Sequence, residues 1–134
     1  MYLSFLGSYN HMNFNDNSPI FSQVMAYIKA QVAVGYFVAG QKIPSIREMS
    51  QNLKINPNTV SRAYQELERE GITVTQRGLG VFVAENVGEN LKEEISQGHI
   101  AHFTKEMAVL GFTETETVEA LQNYYRSCTP RRLT

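Results

Sequence analysis

Two short helical patterns with separate start signals follow one another in the stretch SIREMSQNLKINPNTVSRAYQEL, residues 45–67. Ser45 and Glu48 form a capping box, in which a hydroxyl and a carboxylate reciprocally satisfy first-turn amides. Asn56-Pro57 supplies a second cap, followed by a proline at the first helical position. Two short helices joined by a tight connection at residues 54–56 predict a helix-turn-helix.

The residues that follow predict a β-hairpin. Residues 72–75 and 81–83 are β-prone runs that flank QRGLG, residues 76–80. The two glycines of this segment can take the positive φ that a hairpin turn needs. A hairpin directly after the second helix is the added element of a winged helix-turn-helix, so we expect that fold.

Another helix is predicted before the helix-turn-helix. Ser18-Pro19 suggests a capping hydroxyl followed by a first-position proline, and apolar residues then recur every four positions to about Gly35, at Ile20, Val24, Ile28 and Val32. Residues 36–44 read as a turn or a short extended piece. Residues 1–17 lack a helical period and contain His11-Met12, so we expect a flexible leader or cloning remnant, with the native start near Met12.

Beyond Ala84 the pattern becomes helical again. One apolar stripe ends at Gly111, a second capping box follows at Thr113–Glu116, and Val118 opens the stripe of a final helix. Two amphipathic helices cannot bury both stripes in so small a unit, so we expect a second copy to cover them. The expected dimer surface consists of Leu91, Ile95, His99, Phe103, Met107, Leu110, Leu121 and Tyr125.

The expected architecture is therefore α+β: a winged helix-turn-helix over residues 18–84, then a two-helix hairpin for dimerisation over residues 85–134. A chain of 134 residues with 43% apolar and 19% charged residues has the balance of a folded globular protein. No apolar run approaches the roughly 18 residues that span a bilayer, and the first residues lack the basic flank of a secretory signal. We expect a cytoplasmic protein without a membrane partner. The single cysteine, Cys128, can form no intrachain disulfide.

Charge is distributed unevenly along the chain. Residues 19–83 carry seven Lys or Arg against four Glu, an excess of three positive charges, whereas residues 84–134 carry five against eight, an excess of three negative charges. A modest basic excess in the first part suits nucleic acid.

Polar residues on the second helix of the helix-turn-helix are candidates for DNA contact. Its apolar arc, which includes Tyr64, is expected to be core, which leaves a polar, cationic face outward. In a major groove about 12 Å wide an Arg can form a bidentate pair with guanine, so Arg62 is the expected base reader. Asn58, Thr59 and Ser61 are second choices, equally able to hold phosphates.

Two further segments are expected to contact the DNA backbone. Arg47 lies in the first turn of its helix, where free amides favour a phosphate, and Ser45 stands beside it, with a simple capping role at least as well supported. Arg77, with Gly78 and Gly80, can place a cation in a minor groove or along phosphates.

In their order along the chain, IPSIREM at 43–49, NPNTVSRAYQELE at 56–68, Gly71 and RGLGVFV at 77–83 closely resemble the GntR family of bacterial regulators. In the family, the residues matching Arg47, Thr59, Arg62 and Gly78 contribute to DNA contact. The short remainder is similar to the YtrA subfamily, whose two C-terminal helices serve mainly in dimerisation and whose members commonly repress transporter genes. The resemblance implies a repressor that binds double-stranded operator DNA, an inverted repeat, as a homodimer.

Other readings have less support. Nothing resembles a catalytic site, so no enzyme and no cofactor are expected, and the sequence identifies no small-molecule effector. His99 and His102 stand three residues apart on a predicted helix, but no third ligand is near in sequence, so no metal site is expected. The alternative function is a winged module that binds protein or RNA, since a fold does not fix its partner.

Overall fold

The computed structural model describes residues 14, 15 and 17–128, so the expected leader lies almost wholly outside the described residues. Helix α1 spans Ile20–Ala33 and buries Val24, Ile28 and Val32. The prediction of a Ser18 cap was wrong: Pro19 is itself the N-cap residue, and no side chain caps the helix. The Gln23 amide instead donates to the carbonyls of Asn15 and Ser18, each at 2.8 Å, and fixes the chain that enters α1.

Helices α2, Ile46–Leu53, and α3, Pro57–Arg69, form the predicted helix-turn-helix. Lys54 ends α2 in the left-handed conformation, at φ 57°, and its N–H donates to the Ser50 carbonyl. The backbone then reverses, and the Asn56 side chain caps α3 by accepting from the Asn58 N–H at 2.8 Å. At both helix starts, first-turn amides are hydrogen-bonded by side chains within three positions, so the two boundaries could be predicted from sequence alone.

Strands β1, Thr73–Gln76, and β2, Gly80–Val83, pair antiparallel as the predicted wing, with Thr73 opposite Val83 and Gln76 opposite Gly80. The segment at 40–43 adds to the outer side of β2, where the Ile43 N–H donates to the Val81 carbonyl at 2.9 Å. The sequence predicted only a turn or extended piece there, because a single backbone bridge leaves no periodicity.

The core of this N-terminal part lies between α1 and α3. Val24, Ile28, Val60, Ala63 and Leu67 are fully buried there. Four apolar positions on one arc of α3, Val60, Ala63, Tyr64 and Leu67, are all buried, as the pattern predicted. The opposite face of α3 is thereby left to solvent.

Helices α4, Gly88–Val109, and α5, Glu114–Cys128, complete the described chain. Gly111 turns the backbone at φ 89° between them, and the Thr113–Glu116 capping box is formed as predicted. The chain divides into two compact units between Glu93 and Glu94. This division falls later than the expected boundary at 84/85, because the first turn of α4, with Leu91 only 2% exposed, belongs to the first unit.

Among residues 14–15 and 17–128, no helix combines the length and the apolar character that spanning a bilayer requires.

Candidate nucleic-acid interface

The N-terminus of α2 presents Ser45 and Arg47. The Ser45 hydroxyl accepts from the Glu48 N–H at 3.1 Å, while the Glu48 carboxylate accepts from the Ser45 N–H at 2.9 Å. Hydrogen bonds from the backbone and then the side chain of Ser45 lower the pKa of Glu48. Ser45 therefore caps the helix. Arg47 is exposed in the same turn.

The outer face of α3 carries the polar residues singled out in the sequence. Asn58 and Arg62 are exposed, whereas Thr59 and Ser61 are half-buried at the flanks of the helix. Tyr64 is core, as expected: its hydroxyl donates to the Pro44 carbonyl at 2.6 Å, and burial raises its pKa. This bond links the middle of α3 to the segment that leads into α2.

Arg62 has an aromatic neighbour that the sequence did not indicate. Its guanidinium carbon lies 3.8 Å from the ring centroid of Phe21, in the first turn of α1. Glu66, one turn further along α3, pairs with Arg69, and the hydrogen bond from Arg69 lowers the pKa of Glu66. Within the described residues, the guanidinium of Arg62 has no carboxylate within 4 Å.

The wing tip is open. Gly78 has φ 79°, and a Cβ built on it would meet nothing within 4 Å, so the turn requires glycine for its backbone conformation and not for space. Arg77 is exposed beside it, and Leu79 is 62% exposed. A cation and an apolar side chain thus project together from the tip.

Sequence reasoning missed Lys42. A Cβ on Gly80 would lie 2.6 Å from Lys42 Cε and 3.5 Å from Nζ, so the lysine side chain crosses directly over this glycine at the base of the wing. Lys42 also contributes to lowering the pKa of Glu48, which places its charge near the start of α2. The sequence signal that could have indicated Lys42 is the alternation of side chains in an extended segment. Because Ile43 is buried, its neighbour Lys42 points to the opposite side.

Tertiary contacts connect the three elements that carry these side chains. Glu68 of α3 accepts from the Thr75 N–H at 3.0 Å and pairs with the Thr75 hydroxyl, and these two bonds connect α3 to β1. Lys42 lies across the wing, and Tyr64 binds the segment before α2. The N-terminal unit therefore holds the start of α2, the outer face of α3 and the wing in one fixed arrangement.

The residues expected to form a dimer surface differ in exposure. Ile95, Phe103 and Met107 are half-buried, while His99, Leu110, Leu121 and Tyr125 are exposed. One expectation needs correction: Leu91 is already covered within the chain and has no surface to offer a partner. His99 is exposed, so its place on the dimer surface stays a prediction.

In the part of the chain that the structure describes, no three His, Cys, Asp or Glu side chains converge. The His102 imidazole lies 3.2 Å from the Glu106 carboxylate one turn along α4.

Comparison with known proteins gives a consistent result. Residues 21–83 match the family described as "Bacterial regulatory proteins, gntR family". YhcF of Bacillus subtilis, an HTH-type transcriptional regulator, is 36% identical over 113 residues, which cover 83% of this chain and 93% of YhcF. The transcriptional repressor YtrA of the same organism is 44% identical over 77 residues, 58% of this chain and 59% of YtrA.

Comparison with solved structures also finds transcription regulators. A GntR family transcriptional regulator from Listeria monocytogenes, 34% identical, superimposes with a TM-score of 0.77 over 82% of this chain and 98% of that one. The AraR DNA-binding domain in complex with operator ORX1 is 27% identical, with a TM-score of 0.50 over 55% of this chain and 93% of that one. The helix-turn-helix and wing described above thus have a counterpart that was solved on DNA.

Proposed function

Because the chain belongs to the GntR family of DNA-binding transcription regulators and is not an enzyme, we propose that it is a repressor that binds an inverted-repeat operator as a homodimer. The observation that supports this most is the outer face of α3, where Asn58 and Arg62 stand exposed opposite a fully buried arc. An exposed arginine on the second helix of a helix-turn-helix has the shape and donors to read guanine in a major groove.

The proposed contacts fall into two groups. Arg62 reads a base edge, and Asn58, Thr59 and Ser61 contact bases or phosphates beside it. The second group contacts the DNA backbone and consists of Ser45, Arg47, Lys42 and the wing residues Arg77, Gly78 and Gly80. The second group positions the protein without reading sequence, because phosphates are the same at every base pair.

The proposed dimer surface lies on residues 94–128. Val109 is 81% exposed and Leu110 72%, and exposed apolar side chains continue on α5 at Val118, Leu121 and Tyr124. So much apolar surface in a short helical segment is typical of an interface between subunits. A two-fold dimer presents two identical recognition helices, which requires an inverted repeat with half-site centres about 34 Å apart or a multiple of that distance.

By the likeness to the YtrA subfamily, we propose that the target genes include those of membrane transporters, and that the protein acts in the cytoplasm, where bacterial DNA lies. Transcript levels in a strain lacking the gene, compared with its parent, would test this. Transporter transcripts should rise on deletion, and a fall would indicate an activator.

A selection from randomised duplex DNA tests the central proposal. Full-length protein should enrich an inverted repeat, and a gel shift should show preference for the selected duplex over a scrambled one. Enrichment of one asymmetric half-site would contradict the two-fold arrangement, and equal binding to RNA of the same sequence would favour the alternative partner.

The dimer is tested separately by sedimentation. A Leu110→Glu, Leu121→Glu double variant should sediment as a monomer at micromolar concentration, while Val74→Glu, the same change at an exposed apolar residue of the wing, should remain dimeric. If the double variant sediments like the unaltered protein, the dimer surface lies elsewhere.

A further inference from the structure

We propose that Phe21 is a positioning residue for DNA reading: its ring holds the Arg62 guanidinium in the orientation that presents the N–H edge of Arg62 to a base. The inference rests on the proposed role of Arg62 and assigns to α1, outside the helix-turn-helix, a direct part in sequence discrimination. The observation that supports the proposal is the 3.8 Å distance between Arg62 Cζ and the Phe21 ring centroid.

The Phe21 ring has a defined position. Phe21 is half-buried in the first turn of α1, three residues before the fully buried Val24, so the core fixes the backbone from which the ring projects. A guanidinium stacked at this distance is attracted by the quadrupole of the ring, and at exposed sites the interaction favours the stacked state by about two- to fivefold.

Stacking leaves the donors of Arg62 available. The five N–H groups of a guanidinium lie in its plane, whereas the ring covers one face. The carboxylate of Glu66, the acidic side chain one turn further along α3, is paired with Arg69. The charge of Arg62 also contributes to lowering the pKa of Glu66, but no described carboxylate lies within 4 Å of its guanidinium. Arg62 is therefore restrained through its face while its edge forms no ion pair with a described residue.

This arrangement affects specificity more than general affinity. A long arginine side chain loses rotamer freedom when it docks on guanine, and a side chain already held in the docking orientation loses less. On scrambled DNA no bidentate partner is available, so pre-orientation gives little advantage. Removing the ring should reduce the preference for the correct sequence and leave non-specific binding nearly unchanged.

The test compares Phe21→Leu, which keeps an apolar side chain, with Phe21→Tyr, which keeps the ring. The probes are the duplex selected by the unaltered full-length protein and a scrambled duplex. Phe21→Leu should lose about two- to fivefold of the discrimination between them, and Phe21→Tyr should retain it. In an Arg62→Ala background, Phe21→Leu should cause no further loss. Tyr27→Leu, at another half-buried aromatic residue of α1, controls for general loosening of the helix and should leave discrimination unchanged.

Nuclear magnetic resonance supplies a readout that a merely structural role would not move. The side-chain protons of Arg62 should show a ring-current shift that disappears in Phe21→Leu and persists in Phe21→Tyr, while those of Arg47 stay constant. If Phe21→Leu leaves both discrimination and the shift unchanged, the proposal is wrong. If Phe21→Leu instead tightens binding to the selected duplex, the ring holds Arg62 away from DNA. This result also overturns the proposal. If the unaltered protein prefers no duplex, the proposed function fails first, and this inference with it.

Discussion

The two units of the chain use the same local devices but differ in what they do with apolar residues. Ser45–Glu48 and Thr113–Glu116 are both complete capping boxes, so helix starts are equally well specified in each unit. Yet Leu67 in the first unit is fully buried, whereas Leu110 in the second is 72% exposed. Helix signals alone therefore do not produce a closed core.

The N-terminal unit closes its core because a third helix, α1, covers the apolar arc of α3. The described part of the second unit consists of most of α4 and of α5, and these two helices leave apolar positions uncovered. The difference separates a module that folds around its own core from a segment suited to pairing with another copy.

The largest expected effect comes from matched leucine truncations. Leu67→Ala should destabilise the protein by about 2–5 kcal/mol, since a fully buried leucine leaves a cavity. Leu110→Ala should cost less than about 0.5 kcal/mol in dilute protein, as surface changes do. Urea unfolding measures both. If a dimer forms, the loss of stability caused by Leu110→Ala should grow with protein concentration, because association stabilises the folded protein by mass action. Equal losses in dilute protein would mean that the two units do not differ as described.

A smaller effect is expected from arginines in the two units. Arg62→Ala should cost about 1–3 kcal/mol on the selected duplex and much less on a scrambled one. Arg47→Ala should weaken both alike and lower the slope of log affinity against log salt by about one per half-site. Arg126→Ala, in α5, is the control and should change neither.

The measurement is the affinity of each variant for the selected and the scrambled duplex at several salt concentrations. If Arg62→Ala weakened both duplexes equally while Arg47→Ala weakened only the selected one, the two roles would be reversed.

A smaller effect again is expected when the two helix caps are removed. Ser45→Ala and Thr113→Ala should each cost about 1 kcal/mol of stability, because each leaves a first-turn amide without its acceptor. Only Ser45→Ala should weaken DNA binding. Ser45→Asp separates the two roles: it keeps a capping oxygen but adds a negative charge, so stability should hold while affinity falls. Thermal unfolding and gel shifts measure the two quantities, and intact affinity in Ser45→Asp would leave Ser45 as a cap alone.

The smallest effect concerns pH. Hydrogen bonds from Ser45 lower the pKa of Glu48, and those from Thr113 lower the pKa of Glu116. A carboxylate whose pKa is depressed on folding stabilises the folded state above its unfolded pKa, and this contribution is lost as pH falls through the folded pKa. Both helix starts should therefore loosen together in acid, below the ordinary glutamate value of 4.5.

The backbone amide resonances of Ser45 and Thr113, the donors to these carboxylates, should report the loss. In Glu48→Gln the Ser45 amide should no longer titrate. A midpoint for either amide above the ordinary glutamate range would contradict the prediction.

Much of the fold could be predicted from the sequence because the signals are short-range. The caps at Ser45 and Asn56 act within three residues, and the hairpin turn at Gly78 depends on one dihedral angle. The start of α1 was misjudged because the Gln23 side chain, and not that of Ser18, binds the entering chain, and a contact between a helix and the irregular segment before it has no sequence pattern.

Periodicity and capping are properties of neighbouring residues, so the order of helices and hairpin and the buried arc of α3 could be predicted from the sequence. Which distant side chains a residue meets depends on the tertiary structure. The stack of Arg62 on Phe21 and the passage of Lys42 over Gly80 each depend on segments far apart in the chain. Such contacts form only when packing brings separate elements together, so no local pattern of residues specifies them.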